Sequence, residues 1–204
     1  AERRTRSREF FTASAGEWDR LRRELIGRRQ DLLALLALLD AGWTVGDLGC
    51  GTGVMTEALA PFVGKVIAVD GSPIMLEAAR SKLGGMRNVE VMEGELERLP
   101  LGDESLDAAI LCLALSYVAE PEAVIVEAAR VLRPGGRLVI ADLAEHGREE
   151  YRQRFGHQWL GFSEAQIAGW LRAGGLTDER YILLPPDPEA KGPRMFAASG
   201  NRPV

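Results

Sequence analysis

The run Val45-Gly46-Asp47-Leu48-Gly49-Cys50-Gly51-Thr52-Gly53 holds the residue types best suited to gripping a ligand. An apolar stretch leads into a glycine-rich turn. Glycine lets main-chain atoms come close to a bound molecule because it lacks a Cβ and accepts positive φ. The spacing is G-x-G-x-G; a dinucleotide fingerprint would need a further glycine at position 54, where Val54 stands. That residue moves the reading from hydride transfer toward another nucleoside-bearing ligand. Asp70 lies 21 residues past Gly49, a distance at which a carboxylate can accept from a ribose diol; the plainer reading is a turn or cap aspartate. Asp47 could hold an ammonium group or simply brace the turn. In Glu93-Gly94-Glu95-Leu96 a carboxylate could accept from an adenine amino group while Leu96 covers the ring. Met75 could pack on that ring or in the core.

Proton-transfer groups are few. His146 and His157 are the only histidines. Both fall after the fifth expected strand, where a second substrate would enter, and either could face it or serve as a surface or packing residue. Tyr117 and Asp142 are read as pointing toward the same cleft. No Ser/His/Asp or Cys/His arrangement is evident, and no metal-ligand cluster is expected.

The elements that must position these groups follow from periodicity. Strands are expected at Trp43–Leu48, Lys65–Val69, Val89–Glu93, Leu106–Leu113, Arg137–Asp142, Tyr181–Leu184 and Met195–Ala198. Helices are expected at Val54–Phe62, Pro73–Leu83 with Ser72 as cap, Pro121–Leu132, and Ser163 to Ala173. Strand–helix alternation implies an α/β fold, doubly wound, with a mostly parallel seven-stranded sheet and an antiparallel edge strand. Ligands of such sheets lie beyond the carboxyl ends of the strands. Residues 1–40 read as a helical lid or linker segment and 41–204 as the binding domain. Phe10, Phe11 and Trp18 either form part of a lid helix or pack that helix onto the domain.

VGDLGCGTG (45–53), VIAVDGSPIMLEAAR (66–80), VEVMEGELERLPLGDESLDAAIL (89–111) and EAARVLRPGGRLVIADL (127–143) come in one order. Together they resemble class I S-adenosylmethionine-dependent methyltransferases, of the group that includes the ubiquinone and menaquinone methylases. The resemblance implies a Rossmann-like methyltransferase fold with S-adenosyl-L-methionine as cofactor. It implies a donor site made of Asp47, Gly49, Cys50, Gly51, Asp70, Gly71, Met75, Glu95, Leu96 and Leu113, the last through its backbone. Two positions depart from the pattern: Glu95 replaces an aspartate, and Leu115-Ser116-Tyr117 lacks a histidine found in many relatives. Phe10-Phe11, Glu17-Trp18-Asp19, His146 and Gly156-His157 resemble the methyltransferase domain fused to arsenic-repressor-type winged-helix regulators. That likeness raises a fusion to a winged-helix domain as one arrangement; a homodimer is another, the oligomeric state being open.

Bulk properties bound the alternatives. The chain has 204 residues, 46% hydrophobic and 27% charged, which suits one domain with a sizeable core. Residues 1–30 carry nine arginines against five acids, a net of +4, so the remainder holds −9 of the overall −5. Direct nucleic-acid binding by the body of the fold is not expected. No apolar run approaches the ~20 residues of a membrane span. Cys50 and Cys112 make no disulfide framework, which fits a cytoplasmic protein, and two distant thiols argue against arsenite chemistry. Leu111-Cys112-Leu113 stands where metal-dependent catechol-type methylases place a carboxylate, so no metal is expected. The expected function is methyl transfer to a small-molecule acceptor in a bacterial cytoplasm, with His146, His157 and Tyr117 as candidate catalytic groups. Two other readings stay open at this point: a domain that senses the donor or its demethylated product, and a nucleotide-dependent oxidoreductase.

Overall fold

In a computed structural model the described residues are 30–204, with Glu17 and Glu24 before them. Phe10, Phe11, Trp18 and most of the arginine-rich head lie outside the described residues. The chain divides into two compact units, Ala1–Leu39 and Asp40–Val204. In the first, the short helix α1 (Gln30–Leu33) continues as a 3-10 turn, Ala34–Leu38.

The second unit is built on a seven-stranded sheet in the order β3-β2-β1-β4-β5-β7-β6. Its strands are β1 (Thr44–Leu48), β2 (Lys65–Asp70), β3 (Val89–Glu93), β4 (Leu106–Cys112), β5 (Leu132–Leu143), β6 (Thr177–Leu183) and β7 (Met195–Asn201). Strands β1 to β5 pair in parallel, while β7 runs antiparallel to both β5 and β6. This is the expected α/β sheet, mostly parallel, with antiparallel pairing at one edge. The helices are α2 (Val54–Leu59), α3 (Pro73–Leu83), α4 (Pro121–Val131), α5 (Glu150–Phe155) and α6 (Glu164–Ala173). Strand order reverses between β1 and β4, so a crevice opens where their carboxyl ends diverge.

Burial explains the apolar strands. Leu48 of β1 and Val66, Ala68 and Val69 of β2 are wholly buried, as expected when both sheet faces are covered. On one face Leu111, Leu138 and Ile140 share a core with Ile125 of α4, Ile167 and Leu171 of α6, and Phe162 and Phe196. Ala68 alternates with Ile67 and Val69, so it faces the other way, where it meets Cys50, Leu76 of α3 and Val91. Trp159, Phe162 and Trp170 form an aromatic cluster on the larger core.

Helix starts follow local chemistry. The Ser72 hydroxyl accepts the Met75 N–H at 3.4 Å, and Pro73 opens α3 with its φ already set. Ser163 and Gln166 form a reciprocal capping box at α6.

Three segments differ from expectation. Strand β5 begins at Leu132, five residues before the expected Arg137: Leu132 pairs with Leu106, and register resumes at Arg137 opposite Ala108 beyond Pro134-Gly135-Gly136. Gly135, at φ 78°, allows that bulge. Strand β6 starts at Thr177, four residues early, because an edge strand tolerates the polar Thr177-Asp178-Glu179-Arg180. Helix α5 lies in a segment dominated by charged residues, where no apolar periodicity marked it.

Candidate active site

The turn after β1 is held from below. Gly49 and Cys50 donate their N–H groups to the Val69 carbonyl at 2.8 and 3.0 Å. Gly49, Gly51 and Gly53 all have positive φ, 78°, 52° and 80°. A Cβ at Gly49 would come within 2.7 Å of Ala114, and one at Gly53 within 2.7 Å of Leu83. A Cβ at Gly51 would meet no protein atom within 4 Å. Glycine is needed at 49 for packing against Ala114 and at 53 for its left-handed backbone, whereas at 51 the side opposite the backbone is open space.

Asp70 ties this turn to the next. Its Oδ2 accepts the Gly51 N–H and its Oδ1 the Ser72 N–H, both at 2.8 Å. Each oxygen keeps a further lone pair. Below the turn, Asp47 is buried and accepts the Thr56 hydroxyl. Burial pushes its carboxyl up to about 6 against the Thr56 hydrogen bonds, with Asp70 adding to the rise.

The opposite wall grows from β4. Leu113 has φ 54°, rare for a leucine, and donates its N–H to Ala141. A 3-10 turn, Leu115–Tyr117, follows. The buried Asp142 holds that turn by accepting from the Leu115 N–H at 3.1 Å and the Ser116 hydroxyl at 2.8 Å. Burial pushes the Asp142 carboxyl up against the pull of these bonds. The Ser116 carbonyl in turn accepts the N–H groups of Gln158 and Trp159, and the Tyr117 carbonyl accepts Gln158 Nε2 at 2.7 Å. This latch fixes the 146–162 segment against the crevice.

These elements enclose a cleft of about 660 Å³, within the size range of small-molecule sites. Of the residues expected from sequence, Gly49, Gly51, Asp70, Gly71, Met75, Glu95, Leu96, Leu113 and Tyr117 line it. Met75 is 45% exposed and Tyr117 48%. Sequence reasoning missed Ser72 as a wall residue, and also Glu97, Ala114, Val118, Ala119 and Gln158, which no local pattern distinguishes. Among the described residues, every charged residue of the lining is acidic: Asp70, Glu95 and Glu97.

Five of the expected site residues are not among those lining the cleft. Cys50 turns its side chain into the Ala68–Leu76 cluster, where burial, with Asp47 and Asp70, pushes the thiol up to about 12. Asp47 stands behind the glycine turn and does not line the cleft. Asp142 does not point into the cleft; its carboxylate is consumed by the β4 turn. His157 sits behind Tyr117, its Nε2 3.2 Å from the Tyr117 hydroxyl. His146 lies outside the lining, accepts the Arg148 N–H and packs edge-on against Tyr151. Burial first, then His157 and Arg148, holds its imidazole below the usual range. Among the described residues, no group of three or more His, Cys, Asp or Glu is placed to hold a metal ion.

A glycine turn at the switch point of a parallel sheet, with acids at the end of β2 and after β3, is the site arrangement of a Rossmann-like methyltransferase. Residues 46–140 match the family described as Methyltransferase domain, which together with the relatives below supports a class I S-adenosylmethionine-dependent methyltransferase. It is 40% identical over 104 residues to a demethylmenaquinone methyltransferase of Clavibacter sepedonicus, covering 51% of this chain and 42% of the relative. It is 34% identical over 159 residues to a ubiquinone/menaquinone biosynthesis C-methyltransferase of Hahella chejuensis, covering 73% and 63%. The chain spans a third to a half of the length of several curated relatives it matches. An S-adenosylmethionine-dependent methyltransferase from Mesorhizobium loti shares the fold, with a TM-score of 0.70 at 21% identity over 85% of this chain and 97% of that one. Neither these likenesses nor the described residues show a winged-helix attachment or a homodimer.

Proposed function

We propose that the chain transfers the methyl group of S-adenosylmethionine to a small-molecule acceptor seated beside Tyr117. The observation that carries this reading is the Asp70 carboxylate. It pins the Gly51 turn open while keeping one lone pair on each oxygen for a sugar diol. The donor supplies an electrophilic methyl group on a cationic sulfonium. The protein's part is to bind, align and keep water out.

Each wall has a role in this reading. Met75 and Leu96 cover the adenine, and Glu95 accepts from its amino group. The Leu113 backbone and the glycine turn receive the amino-acid end. An all-acidic lining favours a ligand with a sulfonium and an ammonium group. Asp47 acts through the turn, since it is buried behind it and bonded to Thr56. The acceptor lies against Ala114, Tyr117, Val118, Ala119 and Gln158.

The finer setting is a bacterial cytoplasm, supported by bacterial relatives and two unpaired thiols. No described helix is long and apolar enough to cross a membrane. Calorimetric titration with S-adenosylmethionine and S-adenosylhomocysteine tests the donor site, and transfer of labelled methyl to a panel of small acceptors tests the reaction. Absence of binding to both compounds overturns the reading.

A further inference from the structure

Tyr117 and His157 form a pair that the donor site leaves unused. The Tyr117 side chain lines the cleft, and His157, only 8% exposed, lies directly behind it. Nε2 of His157 is 3.2 Å from the Tyr117 hydroxyl, and the rings meet edge to face with centroids 4.8 Å apart. The Ser116 carbonyl to Gln158 N–H bond beside them keeps the two segments in register. The other ring nitrogen of His157, Nδ1, is buried without a hydrogen-bond partner among the described residues. No carboxylate among the described residues is hydrogen-bonded to this imidazole.

On the methyl-transfer reading, we propose that Tyr117 and His157 form a two-residue proton relay serving an uncharged hydroxyl acceptor methylated at oxygen. The acceptor wall is otherwise apolar: Ala114, Val118 and Ala119. Its other polar group, Gln158, already donates its amide to the Tyr117 carbonyl. Among the described residues the lining has no cationic side chain to welcome an anionic acceptor, and Asp70, Glu95 and Glu97 oppose one. A hydroxyl therefore enters with its proton and must lose it during the displacement. Burial, and then the charge of Asp142, hold the Tyr117 hydroxyl above the usual phenol range, so it is not a ready-made base. It can act only by handing its own proton on, and Nε2 of His157 is within reach.

The step balances as follows. The acceptor oxygen forms a bond to the methyl carbon while that carbon's bond to sulfur breaks, and the bonding pair stays on sulfur as a neutral thioether. The acceptor proton passes to the Tyr117 oxygen, and the Tyr117 proton passes to Nε2 of His157. After the ether leaves, the imidazolium returns its proton through Tyr117 to water. The groups around the relay are Asp142 from β5, Tyr151 and Phe155 from α5, and His146, itself flanked by Arg148 and Glu150. Tyr117 is the catalytic residue here, and His157 is a positioning and proton-holding residue behind it.

The test uses the full chain with S-adenosylmethionine and two probes of one shape: 2-naphthol, neutral at the assay pH, and 2-naphthalenethiol, already ionised. Y117F and H157Q should each lower naphthol kcat by about 100-fold or more, the range of general-base contributions, while thiol kcat, read at saturation because the acidic lining weakens binding of a thiolate, stays within about 3-fold of its own wild-type value. In both variants the naphthol pH profile should follow ionisation of the acceptor itself. S-adenosylhomocysteine affinity should stay unchanged, and the His157 imidazole 15N resonances should move in Y117F. Equal losses for naphthol and thiol would reduce the pair to packing and overturn the relay. Naphthol left unmethylated by a wild-type chain that binds S-adenosylhomocysteine also overturns it, with the donor site intact. If S-adenosylhomocysteine does not bind and no methyl is transferred, the methyl-transfer reading itself has failed.

Discussion

The Ser116 hydroxyl donates to Asp142 Oδ1 at 2.8 Å, and this bond joins the turn after β4 to the end of β5. The same carboxylate accepts the Leu115 and Leu143 N–H groups. Asp142→Ala would leave three buried donors without their partner. At about 1–3 kcal/mol for each unsatisfied group, partly relieved by water, the expected loss is roughly 2–4 kcal/mol. That corresponds to a fall in Tm of about 5–12 °C for a chain of this size. Asp142→Asn should fall between, since its amide keeps one accepting oxygen. Thermal unfolding of the three proteins checks the order.

Glycines 49 and 51 should fail in different ways. Gly49→Ala places a Cβ 2.7 Å from Ala114 at φ 78°, so it should lower stability with or without ligand. Gly51→Ala meets no protein atom, and its cost to the free protein is the left-handed backbone alone, about 1–2 kcal/mol. Its methyl group projects into the ligand space, however. Donor-product affinity should drop by at least about tenfold, or 1.4 kcal/mol. Calorimetry and thermal unfolding, run together on both variants, separate the two effects.

That contrast shows what could be read from sequence. The turn itself, the caps at Ser72 and Ser163, and the positions of the strands along the chain followed from short-range patterns, because glycine spacing, capping residues and apolar runs act within a few positions. Asp70 was legible as an acid at the end of β2. Its grip on the Gly51 N–H was not, because that bond depends on how two strands lie side by side. His157 shows the limit most clearly: its residue type suggested chemistry, but only packing places Tyr117 between it and the cleft. Helix α5 was hidden because Tyr151 and Phe155 are its only apolar residues among charged neighbours.

Asp70 should be the most sensitive donor-site position. Asp70→Ala removes the acceptor for two backbone N–H groups as well as the lone pairs facing the cleft. Hydrogen bonds to a charged group contribute about 1.5–3 kcal/mol each, so S-adenosylhomocysteine affinity should fall by about 100-fold or more. Asp70→Asn, which keeps one accepting oxygen, should lose less. Equal affinity for wild type and Asp70→Ala in a calorimetric titration would remove the ribose role.

Asp47 gives a pH signature of known sign. Its carboxyl is raised from 3.8 to about 6 in the folded chain, chiefly by burial. Between about pH 4 and 6 the folded state therefore binds the proton more tightly than the unfolded one. Stability from this group is fully present below pH 4 and is lost as pH rises through 6, by roughly 3 kcal/mol. Asp47→Asn keeps an oxygen for the Thr56 hydroxyl but cannot titrate. The difference in unfolding free energy, wild type minus variant, should drop by that amount between pH 4 and 7. A difference independent of pH would mean that the buried carboxylate is not perturbed.

Gly71 and Glu95 should be coupled. A Cβ at Gly71 would lie 3.2 Å from the Glu95 carboxylate, a close approach to the far end of a flexible side chain. Gly71→Ala should therefore fold normally and push Glu95 off its position over the cleft. Donor-product affinity should fall by a few fold, within the ~0.5–3 kcal/mol typical of coupled neighbours. Glu95→Asp shortens the side chain by one methylene and clears that space. In the Glu95→Asp background, Gly71→Ala should cost almost nothing, and the double-mutant cycle should show a coupling energy that offsets most of the Gly71→Ala loss. Additive losses in the cycle would mean that Glu95 moves aside freely and does not set the depth of the adenine pocket.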